Sequence, residues 1–258
     1  MWGFFRKEKK TNTLSFATSC WEKDWRQILL NEEYLQKKMI ENHCGSFREK
    51  ILIINNVDDE DLVSFHAKKL KEKNILTQVY LSRYTEKEVL DFFQLKRSDF
   101  RIGEDASSYE NVTPDWIYYN ALAPLSAIYL AKSDFLLYMT GDVYLDQPIA
   151  WTDQAMEKMQ KRTSYKVANL SWNGNYAEAR KESFRKDGDF FVAKSGFSDQ
   201  MFLVATKDFR QPIYGEIRSD AAHFPRGDVF EKRVYSFMKN HGWQRIIYSR
   251  GSYIHKSF

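Results

Sequence analysis

Apolar positions in this chain fall into short unbroken runs and longer stretches at helical spacing, and the two alternate through the first half. Residues 14–18 predict a short buried strand, ended by Ser19 and Cys20. Trp21, Trp25, Ile28, Leu29, Leu35 and Met39 share one stripe, which predicts a helix over residues 21–42. Residues 50–55 carry a continuous apolar run of the kind a central parallel strand shows. Asp58, Asp59, Glu60 and Asp61 stop it and suit the positive end of a following helix, which Leu62, Phe65 and Leu70 mark. Residues 77–81 give a third strand and residues 85–95 another helix, after which the polar stretch 96–114 predicts a mobile surface loop. Residues 116–132 are apolar on nearly all sides, so they predict a buried helix, and it feeds a fourth strand over 135–139.

The second half is less regular. Helices are expected at 151–160 and 229–240, strands at 165–172, 201–205 and 243–249, a polar stretch at 173–196 and a tail at 251–258. Strands alternating with helices predict an α/β fold with a parallel sheet. With no linker or repeat, one domain over residues 1–258 is the simplest organisation.

The chain has 43% hydrophobic and 29% charged residues, enough apolar material for a sizeable core and no case for disorder. Aromatics at 16% exceed what a core needs and suit a cleft for sugars and bases. A net charge of +4 is too mild to suggest a nucleic-acid partner, yet compatible with anionic ligands or an anionic membrane surface. Cys20 and Cys44 form no Cys-x-x-Cys motif or disulfide framework, which suits a reducing cytosol. Trp2, Phe4 and Phe5 precede Arg6, Lys7, Lys9 and Lys10, the reverse of a signal peptide's order. That end suits peripheral contact with the inner face of a membrane. The longest nearly apolar run, 121–131, is broken by Pro124 and is far shorter than a span of ~20 residues. A soluble, cytoplasmic protein is expected.

In an open parallel sheet, ligands bind outside the carboxyl ends of the strands. That rule selects Thr18-Ser19, residues 55–59, Ser82-Arg83 and Thr140-Gly141-Asp142. The first three offer groups for a base and ribose, and the last offers a carboxylate. By itself Thr140-Gly141-Asp142 fits a plain turn equally well. A diphosphate in such a cleft needs countercharge, which a divalent cation on one or two carboxylates supplies.

Residues 117–145 resemble the helix–strand–Asp-x-Asp unit of GT-A glycosyltransferases, with Asn120 in the helix and Thr140-Gly141-Asp142 closing the strand. The resemblance spans most of residues 12–256. It implies a GT-A type fold, a mostly parallel central sheet flanked by helices, with a nucleotide-binding half (12–145) and a smaller acceptor-side half (146–258). The activity it implies is metal-assisted transfer of a sugar from a nucleoside-diphosphate-sugar donor to a hydroxyl of a glycan or lipid-linked acceptor. Many such enzymes build surface polysaccharides. Asp142 is then the ligand for Mn2+ or Mg2+. Thr140 departs from the motif's first Asp, so the ribose contact passes to a hydroxyl or is lost. Thr18, Asn56 and Asp58 are expected near base and ribose, with Asn120, Thr140 and Gly141 completing the donor site.

Residues 195–204 are similar to the family segment where a Gly-containing loop and an acid meet the acceptor. Asp199 is therefore a candidate general base or sugar-orienting group, though Ser198 and Asp199 also fit a cap. Asp228 is assigned to capping the 229–240 helix. Glu231, three residues on, fits the same capping box and competes with Asp199 as base. Arg226 and Lys232 are expected as solvated surface charge. His255 stands where many family members take a further metal ligand, and His with Asp and diphosphate oxygens suits Mn2+.

No P-loop, Gly-x-Gly-x-x-Gly, His-Glu-x-x-His or Gly-x-Ser-x-Gly motif occurs. A sugar nucleotidyltransferase would carry a Gly-rich basic loop after the first strand, and residues 15–21 have none. The other alternative, a non-catalytic GT-A-like scaffold, is kept open by Thr140.

Overall fold

The computed structural model describes residues 12–101, 114–221 and 228–256. Its frame is one sheet built from β1 (Leu14–Cys20), β2 (Glu49–Ile54), β3 (Gln78–Leu81), β4 (Phe135–Thr140), β5 (Val143–Tyr144), β6 (Tyr165–Trp172), β7 (Ser183–Asp187), β8 (Phe190–Ala193), β9 (Met201–Ala205) and β10 (Gln244–His255). The order across it is β3-β2-β1-β4-β9-β6-β10-β8-β7, with β5 paired to β10. β1 to β4 are mutually parallel, as expected from their apolar runs. β9 runs against β4 and β6, while β6 and β10 run together, so most strands keep the direction of the first four.

Helices cover both faces. One core packs Phe16, Leu52, Leu137, Met139 and Ile246 against α1 (Trp25–Leu30), α2 (Glu60–Glu72) and α5 (Thr152–Lys161). The other packs Ala17, Ile51, Tyr138, Val167 and Val204 against α3 (Ser82–Phe93), α4 (Pro114–Leu130) and α8 (Phe230–His241). Successive side chains on a strand point to opposite faces. Ser19, Asn55, Thr140, Asn169 and Ser171 therefore share the α4–α8 face with Ala17, Ile53, Tyr138 and Val167.

Several expectations need correction. The helix over 21–42 is broken: after α1, Asn31 accepts the Tyr34 amide through Oδ1 (3.1 Å), and Tyr34–Ile40 continues as a wider π-helical turn. α2 is present and starts at Asp59, which accepts the Leu62 amide (2.9 Å). It buries Val63, Ala67 and Leu70, however, and leaves Leu62 and Phe65 exposed. The polar stretch 173–196 holds α6 (Tyr176–Glu182) and the β7–β8 hairpin, turned at Gly188 with φ +60. β7 is an edge strand with no fully buried side chain, so it carries no apolar signature. Asp228 does not cap α8. The helix is flanked by Val229, and the Asp228 carboxylate meets Lys232 (3.4 Å) while its carbonyl accepts from Arg233 (3.2 Å). Of the expected loop 96–114, Arg97–Asp99 form one tight turn and residues 102–113 lie outside the described residues. So do the basic N-terminal segment, residues 1–11, and Arg226.

The largest correction concerns the tail, which is strand. β10 runs on to His255, with a break in register between Tyr248 and Ser252 opposite β6. Its end pairs with β5, His255 opposite Val143, and the Lys256 amide donates to the Asp142 carbonyl (3.0 Å). Gly141 sits in that junction. A Cβ there would lie 2.3 Å from Ile28 Cδ1, 2.6 Å from Asp24 Oδ2 and 2.8 Å from the Ser19 carbonyl. No described helix is long and apolar enough to cross a membrane.

Two outcomes follow from this packing. Gly141→Ala should destabilise the protein by about 1–3 kcal/mol through overpacking, read as a lowered melting temperature; an unchanged Tm would mean the junction yields freely. The second concerns His43, which is buried, accepts the Trp151 indole N–H at Nδ1 (3.0 Å) and meets the Met139 sulfur. Burial pushes its pKa down to about 3. An unfolded imidazole titrates near ~6.5, so between these values only the unfolded chain takes the proton. This contribution to stability is complete above about pH 6.5 and is lost as pH falls toward 3. Unfolding free energy measured from pH 7 to pH 4 should fall less steeply in His43→Gln, by up to about 1.4 kcal/mol per pH unit. Equal slopes would refute the assignment.

Candidate functional site

A cleft of about 740 Å3 opens at the carboxyl ends of β1, β4 and β6, on the face covered by α4 and α8. Strand parity decides who reaches it. Thr18, with Phe16 and Cys20, faces the opposite core and is fully buried there, whereas Ser19 enters the cleft and bonds the Tyr138 hydroxyl (2.9 Å). Asn56 stands exposed at the rim with φ +54, and Asn120 lines the α4 wall. Asp58 stays outside the lining, and its amide donates to Glu22 (2.9 Å). Ser82 and Arg83 begin α3 away from the cleft. Thr140, Gly141, Asp142, Asp199, Glu231 and His255 all line it.

The polar centre is the pair Asp142–His255. His255 Nε2 lies 3.0 Å from Asp142 Oδ2, and Thr140 donates its hydroxyl proton to Asp142 Oδ1 (2.7 Å). That hydrogen bond to Asp142 raises the His255 pKa above its ordinary value. Behind the imidazole, Gln200 Nε2 meets His255 Nδ1 (3.2 Å), and the Tyr253 hydroxyl donates to Gln200 Oε1 (3.2 Å). Thr140 is therefore not idle in place of an acid. It fixes one oxygen of Asp142 and leaves the other facing the imidazole.

These residues fit a divalent cation in part. Asp142 and His255, side by side, are residue types that would hold such an ion once the imidazole is neutral. Among the described residues no cluster of three or more His, Cys, Asp or Glu side chains is grouped to hold an ion, so further ligands would come from bound ligand or water. The charge of the cleft points the same way. Asp24, Asp142, Glu178, Glu182, Asp199 and Glu231 line it, against Lys23 and Arg245. A diphosphate cannot settle beside so many carboxylates without a cation.

Asp24 adds to this. Its carboxyl is buried and accepts the Trp21 amide (2.8 Å), and burial drives its pKa well up, with the Asp142 charge adding. Across the cleft, burial pushes the Asp199 carboxyl up to about 6, and Asp142 adds to the rise. Glu231 is raised well above the carboxylate range, first by burial and then by Asp199. Asp24, Trp21, Trp116, Tyr119, Trp172 and Arg245 line the cleft without having been picked from sequence.

No family model matches the sequence, and no curated protein does. Solved structures do match in shape. GalNAc-T7, solved with UDP, GalNAc and Mn2+, covers 96% of this chain and is covered over 44% of its own, at 11% identity and a TM-score of 0.50. A mannosyltransferase of Pyrobaculum calidifontis in complex with GDP-Man and Mn2+ covers 95%, at 10% identity and a TM-score of 0.48, and this chain spans 57% of its length. Mouse xyloside xylosyltransferase 1, in its apo form, covers 89% and is spanned over 82%, at 11% identity and a TM-score of 0.47. At such identities the likeness concerns the fold, and this chain has the GT-A fold of these glycosyltransferases.

Proposed function

We propose that this protein is a glycosyltransferase that moves a sugar from a nucleoside-diphosphate-sugar donor to a hydroxyl of a glycan or lipid-linked acceptor, assisted by Mn2+ or Mg2+. The observation that carries it is the convergence of Asp142 and His255 in an acid-lined cleft at the carboxyl edge of a GT-A sheet. GalNAc-T7, solved with UDP, GalNAc and Mn2+, supports this reading of donor and cation.

In this mechanism Asp142 and His255 would hold the cation, and Thr140 fixes the Asp142 carboxylate through the 2.7 Å hydrogen bond. Bound there, the cation supplies countercharge as the nucleoside diphosphate leaves. Ser19, Asn56 and Asn120 are placed to meet base and ribose, with Trp21, Trp116 and Tyr119 offering flat apolar surface beside them. Asp199, with a pKa near 6, is ionised at neutral pH and able to take the acceptor's proton in an inverting transfer. Glu231, whose pKa burial raises well above the carboxylate range, ranks behind Asp199 as the group that takes that proton.

Thermal-shift titration with UDP, GDP and other nucleoside diphosphates, with and without Mn2+, tests the donor site. Wild type should be stabilised by at least one nucleotide only when Mn2+ is present, and Asp142→Asn should lose that response while keeping its own melting temperature. Mn2+-dependent binding that survives in Asp142→Asn would remove Asp142 from its role. Once a donor is found, Asp199→Asn should lower kcat by roughly 10²–10⁴, with a much smaller effect for Glu231→Gln. The reverse ranking would transfer the base to Glu231.

A further inference from the structure

The acceptor side of the cleft holds polar groups that nothing among the described residues satisfies. Asn169 and Ser171 on β6 are 4% and 2% exposed and line the cleft, yet Asn169 Oδ1 and Ser171 Oγ have no hydrogen-bond partner among the described residues. Arg245 on β10 is 8% exposed, and its Nε is also unpartnered. Its guanidinium is ion-paired with Glu182 through Nη2 and lies against Gly196, where a Cβ would come within 3.0 Å of it. Strand parity explains the grouping, since Asn169, Ser171, Arg245 and Ile247 all point to the α8 face, where Glu231 begins the helix. Buried polar atoms without partners are costly, and their clustering in a cleft marks a place where a ligand completes them.

Two further features define that ligand. The Arg245 charge is already matched by Glu182, while Asp199 and Glu231 form no hydrogen bond or ion pair with another described side chain. An anionic group placed here meets Asp199 and the Asp142 charge beside it in a partly desolvated wall. At the mouth stands Trp172, the last residue of β6, 43% exposed and lining the cleft. An indole offers a flat apolar face to the C–H side of a pyranose ring, while carboxylates, Asn and Ser suit its hydroxyls.

We propose that Trp172, Asn169, Ser171, Glu231 and Asp199 form an acceptor subsite for a sugar that carries no phosphate, sulfate or carboxylate. Trp172 stacks on the ring, and the unpartnered groups of β6 bond its hydroxyls. The subsite rests on the glycosyltransferase function proposed above, so its test has to separate the two. Saturation-transfer NMR on the full chain with Mn2+ would compare methyl glycosides of glucose, galactose and mannose with their uronate and 6-phosphate counterparts. A parallel calorimetric titration with UDP and GDP reads the donor site.

The expected result is saturation transfer to at least one neutral glycoside and none, or roughly tenfold weaker binding, for its anionic counterparts. Trp172→Ala and Glu231→Gln, each checked for an unchanged melting temperature, should weaken the neutral glycoside roughly tenfold. Anionic sugars bound as well as neutral ones, neutral binding untouched by Trp172→Ala, or no glycoside bound at all while a nucleotide binds would overturn the subsite and leave the transferase function standing. No binding of UDP, GDP or any other nucleoside diphosphate would overturn that function and the subsite with it.

Discussion

The missing side chain at residue 141 is the constraint on which the rest depends. There the end of β4 lies against the Ser19 carbonyl, the Asp24 carboxyl and Ile28, with no room for one carbon more. The Tyr34 hydroxyl donates to the Gly141 carbonyl (3.0 Å), and the last residues of β10 pair with the turn from the other side. Two segments more than a hundred residues apart thus grip one turn. His255 meets Asp142 because the backbone around both is fixed, and the imidazole needs no long flexible reach.

Charge follows from that geometry. Gathering Asp24, Asp142 and Asp199 at the carboxyl edge raises the pKa of Asp24 and Asp199, because each carboxylate is both desolvated and close to another. A cation bound as proposed would relieve the cost of holding them there and would serve a diphosphate as well. Thr140 fits the same logic. A second aspartate at that position would add one more negative charge, whereas the threonine hydroxyl donates a proton to Asp142 and steadies it.

β1, β2 and β4 were legible because they are central and buried on both faces, so each announces itself as a mostly apolar run. α4 was equally plain, with buried residues around most of its circumference. The edge hairpin β7–β8 was not, since an edge strand with polar residues on both faces looks like a loop. The end of β10 was missed for a related reason. Gly251, where a Cβ would lie 2.9 Å from Ile149, interrupts the apolar pattern within the register shift, and the strand beyond it resembles a tail.

By itself the sequence determined the alternation of strands and helices, the position of Asp142 at the end of a buried strand, and the candidacy of Asp199, Glu231 and His255. These are local properties, set by periodicity and by residue type. Only the tertiary structure decided that Ser19 and not Thr18 faces the cleft, that Asp228 leaves capping for an ion pair, and that Asn169, Ser171, Arg245 and Trp172 share one wall. The reason is physical. A strand's parity and a strand's neighbours are fixed by packing across the sheet, between segments whose separation along the chain carries no trace of their contact.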